Sequence, residues 1–418
     1  DVGDETNHNF VEEAGPGCFI SRGASLPAWA LGSESLNLRD YSKGSKFPDL
    51  AVNPDDGTLS VVNATSAHRV CYITVFDHAV LGRGGVPFPP GTSTDNHGTT
   101  RACVTFILLL PPKTIIHAAT LTVPSSEIDS DVQDWSKHPA PEDEHPLVVD
   151  FPVGAPGDGP YLCTQGEGGA LTHFFSGNLH AVDFRCEVGT PLVAVGDGLV
   201  VETSQENTLT GVAVCNLFKW NSVMLQLDTG DASAASVSSP SLTPADDASG
   251  TAAAGATRGG SGVVGDGGQT ATTAGAKHSN SVGGSGGGGG SSVRGGDLFV
   301  EYVHIRAGSC CVQVGERVVA GQKICESGSV GFSPEPHLHF TAFRSREPTA
   351  PTTRVRFRAA APAISGGGEG VREGGGGGGG RGGGEDGAYT PVAGKYYNAE
   401  GAQPAPAPPP HEAGAHVS

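Results

Sequence analysis

Two histidines in the last third of the chain have the spacing of a metal site. His337 and His339 alternate with the apolar residues Leu338 and Phe340. Because successive side chains of a β-strand point to opposite faces, a strand here presents both imidazoles on one face and both apolar side chains on the other. Such a strand can offer two imidazoles to one metal ion. A His-x-His pattern is short and also occurs in ordinary half-buried strands, so its surroundings must separate the two interpretations.

Segments rich in β-branched and aromatic residues surround this pair and would have to position it. One such segment, 298–304, ends at His304, and another, 179–184, contains His180 and Asp183. Further segments of the same kind are 161–166, 171–175, 188–194, 196–202 and 220–227. We predict that these segments form strands of one β-rich domain over residues 159–345.

A low-complexity segment interrupts that domain. Residues 230–296 consist mainly of Gly, Ser, Ala and Thr, a composition that predicts a disordered insertion. The insertion lies between two strand-like segments, so we expect it to lengthen one hairpin loop. Such a long loop is tolerable because the entropy cost of loop closure grows only with the logarithm of its length.

The chain before residue 159 divides into three predicted regions. Residues 1–45 lack periodicity and predict a loosely ordered lead-in, whereas residues 46–125 contain β-rich runs separated by turn signals, which predicts a β-sandwich-like domain. Residues 126–158 predict an acidic linker. No catalytic constellation is evident in the sandwich, whose scattered histidines are assigned to loops or the surface: His78, His97 and His117.

Glycine and proline are unusually frequent, with 65 and 30 residues among 418. Much of this content lies in the insertion and in residues 346–418, which we predict to be a mostly disordered tail because such segments bury too little apolar surface to fold. The predicted fold class is therefore mainly β, with a sandwich-like domain followed by a β-rich domain.

The net charge of the chain argues against several partners. The chain has 25 Lys and Arg against 44 Asp and Glu, a formal net charge of −19 at pH 7. Nucleic-acid affinity comes largely from cationic side chains that neutralise phosphates, so no nucleic-acid partner is predicted. The most apolar stretch, 104–110, is far shorter than the about 18 residues of a membrane-spanning helix, so no transmembrane segment is predicted. The sequence does not indicate an oligomeric state.

Nine cysteines and one glycosylation sequon bear on the compartment. The cysteine count is odd and includes no Cys-x-x-Cys spacing, and the sequon is Asn63-Ala-Thr65. These features permit disulfides and secretion. We expect a secreted or extracellular protein, and because the sequence begins at Asp1 it is either a processed chain or a fragment in which a signal peptide is not visible.

The motifs of the domain over 159–345 occur in the order of a known family. They are His173, Ala181-Val-Asp183-Phe184, Val188-Gly-Thr-Pro191, Asp197-Gly198, Tyr302-Val-His304, Val314-Gly-Glu-Arg-Val318, Ala320-Gly-Gln322, Ser327-Gly-Ser-Val-Gly331 and His337-Leu-His339-Phe340. Together they resemble the lysostaphin-type (LytM-like) zinc metalloendopeptidases, a family of peptidoglycan hydrolases. Each motif alone recurs by chance, but nine in the family's order are hard to obtain by accident.

The resemblance implies a division of roles within a Zn2+ site. In the family one His, one Asp and the second His of His-x-His hold the metal, which makes Asp183 and His339 implied ligands, while His304 and His337 are the implied catalytic pair. Three protein ligands leave a position for water, whose pKa zinc lowers towards ~7 so that hydroxide can attack a peptide carbonyl. One imidazole can then accept a proton while another stabilises the oxyanion.

The first histidine ligand is where the sequence departs from the family. The commonest spacing places it four residues before the Asp, where this chain has Leu179. His180 lies three residues before Asp183, which puts the two side chains on opposite faces of a regular strand unless a β-bulge near Asn178 rotates it inward. His173 resembles the upstream histidine of one family branch. We predict His173 as the ligand, with His180 as the alternative.

The predicted function is a zinc-dependent endopeptidase that hydrolyses peptide bonds in peptidoglycan cross-links or in another peptide. The alternative is a catalytically inactive relative that acts as a cell-wall or partner-binding module, which the four residues Asp183, His304, His337 and His339 argue against. A biotinyl or lipoyl carrier is disfavoured because Lys323 follows its strand motif directly and does not lie at a hairpin tip. The sequence does not indicate which bond is cut.

Overall fold

The structure is a computed structural model of the 418-residue chain. It describes residues 13–21, 26–36, 49–135, 146–155, 157–169, 171–174, 177–228, 297–347, 350–359 and 387–406. The described residues form β-strands, two short 3-10 turns (Arg83–Gly85 and Val214–Asn216) and no α-helix, so the predicted mainly β fold is confirmed. In this part of the chain no helix has the length and apolar character needed to cross a membrane.

Eleven strands of the N-terminal half build two sheets. They are β1 (Glu13–Gly15), β2 (Cys18–Ile20), β3 (Gly32–Ser35), β4 (Asp49–Val52), β5 (Thr58–Asn63), β6 (Arg69–Phe76), β7 (Val80–Leu81), β8 (Gly91–Thr94), β9 (Thr100–Leu110), β10 (Thr114–Leu121) and β11 (Ile128–Asp134). One sheet has the order β1-β2-β9-β6-β11, with β8 beside β9, and the other has the order β3-β10-β5-β4, with β7 beside β10.

Apolar side chains at alternate positions of both sheets form one shared core. Ile73 and Phe106 come from the first sheet, and Val61 and Ile116 come from the second, and all four are buried in the same cluster. Alternation of buried residues along facing strands is the arrangement of a β-sandwich. We call this region the sandwich below.

The sandwich extends beyond the predicted limits of 46 and 125. Strands β1, β2 and β3 lie within the segment assigned to a loosely ordered lead-in, and β11 lies within the segment assigned to an acidic linker. Strand β11 pairs along its whole length with β6, and its Ile128 and Val132 pack on the core. The acidic residues between these two positions hid the alternation in the sequence.

Fifteen strands follow. They are β12 (Leu147–Val149), β13 (Tyr161–Gln165), β14 (Val182–Arg185), β15 (Pro191–Val193), β16 (Gly198–Ser204), β17 (Thr210–Gly211), β18 (Ser222–Leu227), β19 (Leu298–Val303), β20 (Arg317–Val318), β21 (Lys323–Glu326), β22 (His337–Phe343), β23 (Val355–Arg358), β24 (Ala388–Tyr389), β25 (Tyr396–Asn398) and β26 (Gly401–Gln403). Nine of them form one sheet in the order β20-β16-β18-β19-β22-β14-β13-β25-β26.

The nine-stranded sheet is apolar on one face. Phe184 of β14, Tyr302 of β19 and Leu338 and Phe340 of β22 are fully buried in one core cluster. Strand alternation turns the residues between them to the opposite face. Strand β22 therefore has the alternation predicted for His337 to Phe340. Its apolar residues pack in the core, and its histidines lie on the opposite face.

Several predicted limits in this region are wrong. Strand β14 begins at Val182 and not at residue 179, and residues 171–174 form turns and not a strand. Strands β23 to β26 lie in the segment predicted as a mostly disordered tail. They are ordered by a few large side chains, because Phe357, Tyr389 and Tyr397 are buried in the core of the nine-stranded sheet.

The sandwich packs against the loops of the second half. Strand β17 pairs with β8, the Tyr72 hydroxyl donates to the carbonyl oxygen of Leu171 at 3.3 Å, and the Tyr72 ring meets Phe332 edge to face at 6.1 Å between centroids. The rings of Trp135 and Phe174 pack in a tilted arrangement, with 4.9 Å between their centroids. The turn that contains residues 171–174 is therefore held by side chains of the sandwich.

The ends of the predicted insertion are neighbours. Leu227 at the end of β18 pairs in register with Leu298 at the start of β19, so the intervening residues join the two strands of an antiparallel hairpin. The predicted insertion itself, 230–296, lies outside the described residues. All nine cysteines are described, and all are free thiols in this structure.

Candidate metal centre

Three buried side chains from separate parts of the chain converge on one point. His173 Nε2 lies 3.2 Å from Asp183 Oδ1 and 3.1 Å from His339 Nδ1, and His339 Nδ1 lies 2.9 Å from the same carboxylate oxygen. Strands β14 and β22 position two of the three, because Asp183 and His339 are direct cross-strand partners. The structure thus brings together the three residues that the sequence analysis named as metal ligands.

The third member, His173, is positioned by Gln165 at the end of β13. The Gln165 amide oxygen accepts the backbone N–H groups of Leu171 and Thr172, both at 3.0 Å, and fixes the turn that contains His173. The amide nitrogen of Gln165 donates to Asp183 Oδ2 at 2.8 Å. One buried side chain therefore orients both the histidine turn and the carboxylate.

The hydrogen bonds of His173 determine which of its nitrogens faces the group. Its Nδ1 lies 3.0 Å from the carbonyl oxygen of Gly166, which only accepts, so we assign the proton to Nδ1 and the lone pair to Nε2. That lone pair points at His339 Nδ1 and Asp183 Oδ1. Two imidazoles and one carboxylate in this arrangement are the donor set of a zinc site, and a divalent cation among them would satisfy all three.

Burial and mutual attraction set the charges of the group. Burial alone would raise the pKa of the Asp183 carboxyl, but the neighbouring His173, His337 and His339 outweigh burial and hold this pKa well below its usual value. Burial lowers the pKa of His339 despite the adjacent carboxylate. At neutral pH the group therefore presents a carboxylate and a neutral imidazole, the forms that bind a metal ion.

His304 and His337 form a second pair beside the group. Their ring centroids are 4.7 Å apart, and the His304 ring is 5.9 Å from that of His339. His304 Nδ1 donates to the carbonyl oxygen of Val330 at 2.7 Å, and His337 Nδ1 donates to that of Glu335 at 2.8 Å. The Nδ1 atoms of both histidines are thus bonded to the backbone, and their Nε2 lone pairs have no backbone partner among the described residues.

The backbone at His304 is held in an uncommon conformation. Its φ of 64° lies in the left-handed region, which costs a residue other than glycine on the order of 1 kcal/mol or more. The His304 side chain packs closely against Gly331. A Cβ added at Gly331 would lie 3.4 Å from His304 Nδ1 and 3.2 Å from Trp220. Burial, together with the nearby His337 and His339, holds the pKa of His304 well below its usual value, so the ring is neutral at pH 7.

His180, the alternative first ligand, lies elsewhere. Its Nδ1 is 3.0 Å from the carbonyl oxygen of Thr352, and its Nε2 is 3.7 Å from Glu167 Oε1 and has no hydrogen-bond partner within the described residues. The argument from a regular strand over 179–184 started from a wrong limit, because His180 precedes β14 in a turn. The side chain nonetheless points away from Asp183 and His339.

A family model matches the part of the chain that contains the histidine pair. Residues 270–351 match the model described as Peptidase family M23. This segment of the chain is similar to M23 peptidases. The match agrees with the family resemblance predicted from the sequence motifs. The match contains His304, His337 and His339 and begins inside the insertion, so it does not include His173 or Asp183, which the fold brings next to His339.

Solved structures of similar proteins include three peptidases. The catalytic domain of the antimicrobial peptidase lysostaphin from Staphylococcus simulans is 20% identical over 49% of this chain and 86% of that chain, with a TM-score of 0.21. A catalytic-domain variant of the prophage-encoded M23 protein EnpA from Enterococcus faecalis is 15% identical over 48% and 93%, with a TM-score of 0.24. A zinc-containing peptidase from Vibrio cholerae is 12% identical over 64% and 53%, with a TM-score of 0.21. Because these TM-scores are low, the family assignment rests on the family model. No curated protein matched the chain.

A cleft of about 700 Å³ opens beside His173, Asp183 and His339, which we call the metal group below. Asp183 and His337 lie in its wall, together with residues 162–167 on one side and residues 390–394 on another. Ala14 and Ile20 of the sandwich also line it. The cleft is therefore lined both by residues of the region 159–345 and by segments that the sequence analysis had assigned to a lead-in and a tail.

Sequence reasoning missed two residues of the candidate site. Gln165 lies in a predicted strand, but its role depends on the turn at 171–174 and on Asp183, neither of which a local pattern connects to it. Arg185 follows Asp183 by two residues and lines the cleft. Its spacing from the aspartate was the available signal, since both must share a face of β14.

Proposed function

We propose that this protein is a zinc-dependent endopeptidase that hydrolyses peptide bonds in peptidoglycan cross-links. The observation that supports this most strongly is the five-residue arrangement of His173, Asp183 and His339 with His304 and His337 beside them. A group that only stabilised the fold would have no use for two further buried imidazoles whose Nε2 atoms are unpaired with backbone. The M23 family match supports the peptidase class.

In this proposal His173, Asp183 and His339 hold Zn2+. When bound, the ion supplies a Lewis acid that lowers the pKa of water and polarises a carbonyl group. Gln165 keeps two of these ligands oriented through its hydrogen bonds to Asp183 and to the turn before His173. Partners of this kind fix the ligand geometry of metal sites and affect metal affinity.

In this proposal His304 and His337 carry out the proton transfers. His304 is neutral at pH 7 and has its Nδ1 fixed on a carbonyl oxygen, so its Nε2 can accept a proton from an attacking water. His337 has the same orientation through Glu335, so its Nε2 lone pair can take up a proton, and the imidazolium so formed can donate that proton to the oxygen that develops negative charge or to the leaving amine. The cleft beside the pair is where an extended peptide would bind.

Because peptidoglycan lies outside the cytoplasmic membrane, the same proposal includes a secreted or extracellular location. The alternative, a binding module without activity, would keep the fold and the cleft but not the turnover. The two therefore differ in one measurable property, the release of new amino groups from a cell-wall substrate.

The test is zinc content measured beside hydrolysis. Purified full-length protein should hold about one zinc per chain and release new amino groups from purified peptidoglycan. The His339→Ala variant should lose both properties, because two remaining ligands hold the metal poorly. His117→Ala, which changes a half-buried histidine of the sandwich, serves as the control and should keep both. Wild-type protein with one bound zinc and no release of amino groups would support the binding-module alternative instead.

A further inference from the structure

One cationic side chain lies in the cleft beside the proposed catalytic pair. Arg185 follows Asp183 by two residues on β14, so both side chains lie on the same face of the sheet, and its cross-strand partner on β22 is His337. Two residues of a strand span about 6.6 Å. Arg185 also lines the cleft, so it lies beside the residues proposed to carry out the reaction, at a backbone spacing equal to two residues of an extended peptide.

The contacts of Arg185 leave several of its donors unused. Its Nη2 lies 2.9 Å from Glu335 Oε1 and 2.7 Å from Glu335 Oε2. Its Nε and Nη1 have no partner in the part of the chain that the structure describes, and the side chain is 53% exposed. An arginine carries five N–H donors, so one ion pair does not occupy it.

A purely structural role does not account for this residue. An exposed ion pair contributes little to stability, and the Arg185 and Glu335 side chains are both accessible from the cleft. Among the described residues that line the cleft, Arg185 is the only Lys or Arg.

The acidic residues nearby have partners of their own. Glu167 is held by Arg354 through two hydrogen bonds of 2.8 and 2.6 Å, and Asp183 belongs to the metal group. Glu335, which also lines the cleft, is paired with Arg185 Nη2 alone, so among the described residues of the cleft wall Nε and Nη1 of the guanidinium remain as cationic donors for a ligand. Its planar fork of donors matches a carboxylate, which it binds more strongly than a neutral acceptor.

We propose that Arg185 binds a carboxylate of the substrate within about two residues of the cleaved bond. This would make the protein selective for peptides with a free acidic group at that position over the same peptides with an amide there. The proposal rests on the proposed function for the identity of the substrate as a peptide. It adds a specificity-determining residue and the chemical class of the group that it recognises.

The test compares two synthetic cross-link peptides that are identical except for one carboxylate, which is a carboxamide in the second peptide. Zinc-loaded full-length protein should show a kcat/KM about 10- to 100-fold higher for the acid than for the amide, because a charge-assisted hydrogen bond is worth roughly 1.5 to 3 kcal/mol. The Kd values of both peptides, measured by calorimetry, should differ in the same direction.

Three variants sharpen the comparison. Arg185→Ala should bring the acid-to-amide ratio to about 1, and Arg185→Lys should retain part of the preference because the charge remains. Arg317→Ala is the matched control, since Arg317 is also an exposed arginine paired with one carboxylate, Asp228, but does not line the cleft. It should leave the ratio unchanged. A thermal melt of each variant checks that it is folded.

Two results would overturn the proposal. One is a wild-type ratio near 1 in both kcat/KM and Kd, and the other is an Arg185→Ala variant that loses affinity for both peptides equally and keeps the ratio. If wild-type protein cleaved neither peptide, the Kd comparison would still decide the role of Arg185, while the proposed function would fail separately.

Discussion

The histidines of the two halves of the chain differ in burial. In the sandwich His78 and His97 are exposed, and His68 and His117 are half-buried. In the second half every described histidine is 7% exposed or less: His173, His180, His304, His337 and His339. The described histidines of the sandwich are thus exposed or half-buried, whereas those described in the second half are all buried.

This difference in burial distinguishes the sandwich from the half of the chain that contains the candidate site. Withdrawing an imidazole from water is unfavourable unless hydrogen bonds or a metal compensate, and clusters of buried titratable groups occur mainly where they do chemistry. Burial alone, however, does not identify a ligand, because His180 is as buried as the others and faces Thr352. Contacts decide among the five, and the following predictions test that distinction.

The largest expected effect separates two buried histidines that lie seven residues apart in sequence. His173→Ala should lower zinc affinity by about 1,000-fold or more, since it removes one of three ligands. His180→Gln should change zinc affinity by less than about threefold, because its ring contacts Thr352 and Glu167 and not the metal group. Competition with a fluorescent chelator measures both. Loss of affinity with His180→Gln and none with His173→Ala would reverse the assignment.

The next effect distinguishes the metal group from the histidine pair. His304→Ala should keep one zinc per chain, because its ring contacts Val330 and His337 and is not among the three converging ligands. Its kcat should fall by about 100- to 10,000-fold, the usual contribution of a general acid or base. Metal analysis and peptide hydrolysis on the same sample check both properties. His97→Ala, an exposed histidine of the sandwich, is the control, and a His304→Ala variant with wild-type kcat would place the proton transfer elsewhere.

A third prediction concerns the segment that interrupts the second half. Replacing residues 230–296 by a short turn should be tolerated because Leu227 and Leu298 are direct partners in adjacent strands. Shortening the loop from about 70 to about 4 residues removes closure entropy and should raise the free energy of unfolding by up to about 2.5 kcal/mol. Zinc affinity should remain unchanged. Urea unfolding measures the effect, and a large loss of stability would mean that the segment packs on the sheet.

The smallest effect tests whether a half-buried carboxyl near the site behaves like the buried imidazoles. Burial, together with Glu202, raises the pKa of Glu301 to about 7 from its usual value of 4.5, against hydrogen bonds from Ser222 and Trp220. Between pH 4.5 and 7 the unfolded chain releases this proton while the folded chain keeps it, so the group lowers stability as pH rises through that window.

Glu301→Gln removes this titration. The variant should gain on the order of 1 kcal/mol over wild type as pH rises from about 4.5 to 7, with no further gain above pH 7. Thermal melts at several pH values give the difference between the two proteins. A difference that is independent of pH would mean that Glu301 ionises normally in the folded state.

Strands in which apolar and polar residues alternate clearly could be predicted from the sequence. The segment from His337 to Phe340 is a strand with its histidines on one face, and the mainly β fold followed from many such segments. Strands β11 and β23 to β26 were missed because their order depends on partners distant in sequence, such as β6 for β11. No local pattern encodes such pairing.

The residues of the candidate site likewise include some that a local motif predicts and others whose positions depend on contacts distant in sequence. Asp183 and His339 could be named from motifs, whereas the turn that positions His173 depends on Gln165 and on Tyr72 of the sandwich. These contacts span up to about a hundred residues of sequence, and only the folded chain reveals them. The cleft-lining role of Arg185 likewise required the register between β14 and β22.

Residues 230–296 connect β18 to β19 and thereby separate the residues of the proposed active site into two stretches of the chain. The stretch before residue 229 contains His173, Asp183 and Arg185, and the stretch after residue 296 contains the remaining three histidines of the site. A single proteolytic cut between them would leave two fragments, neither with a full set of zinc ligands. Activity after such a cut would require the fragments to remain associated edge to edge, as two subunits that share one catalytic centre.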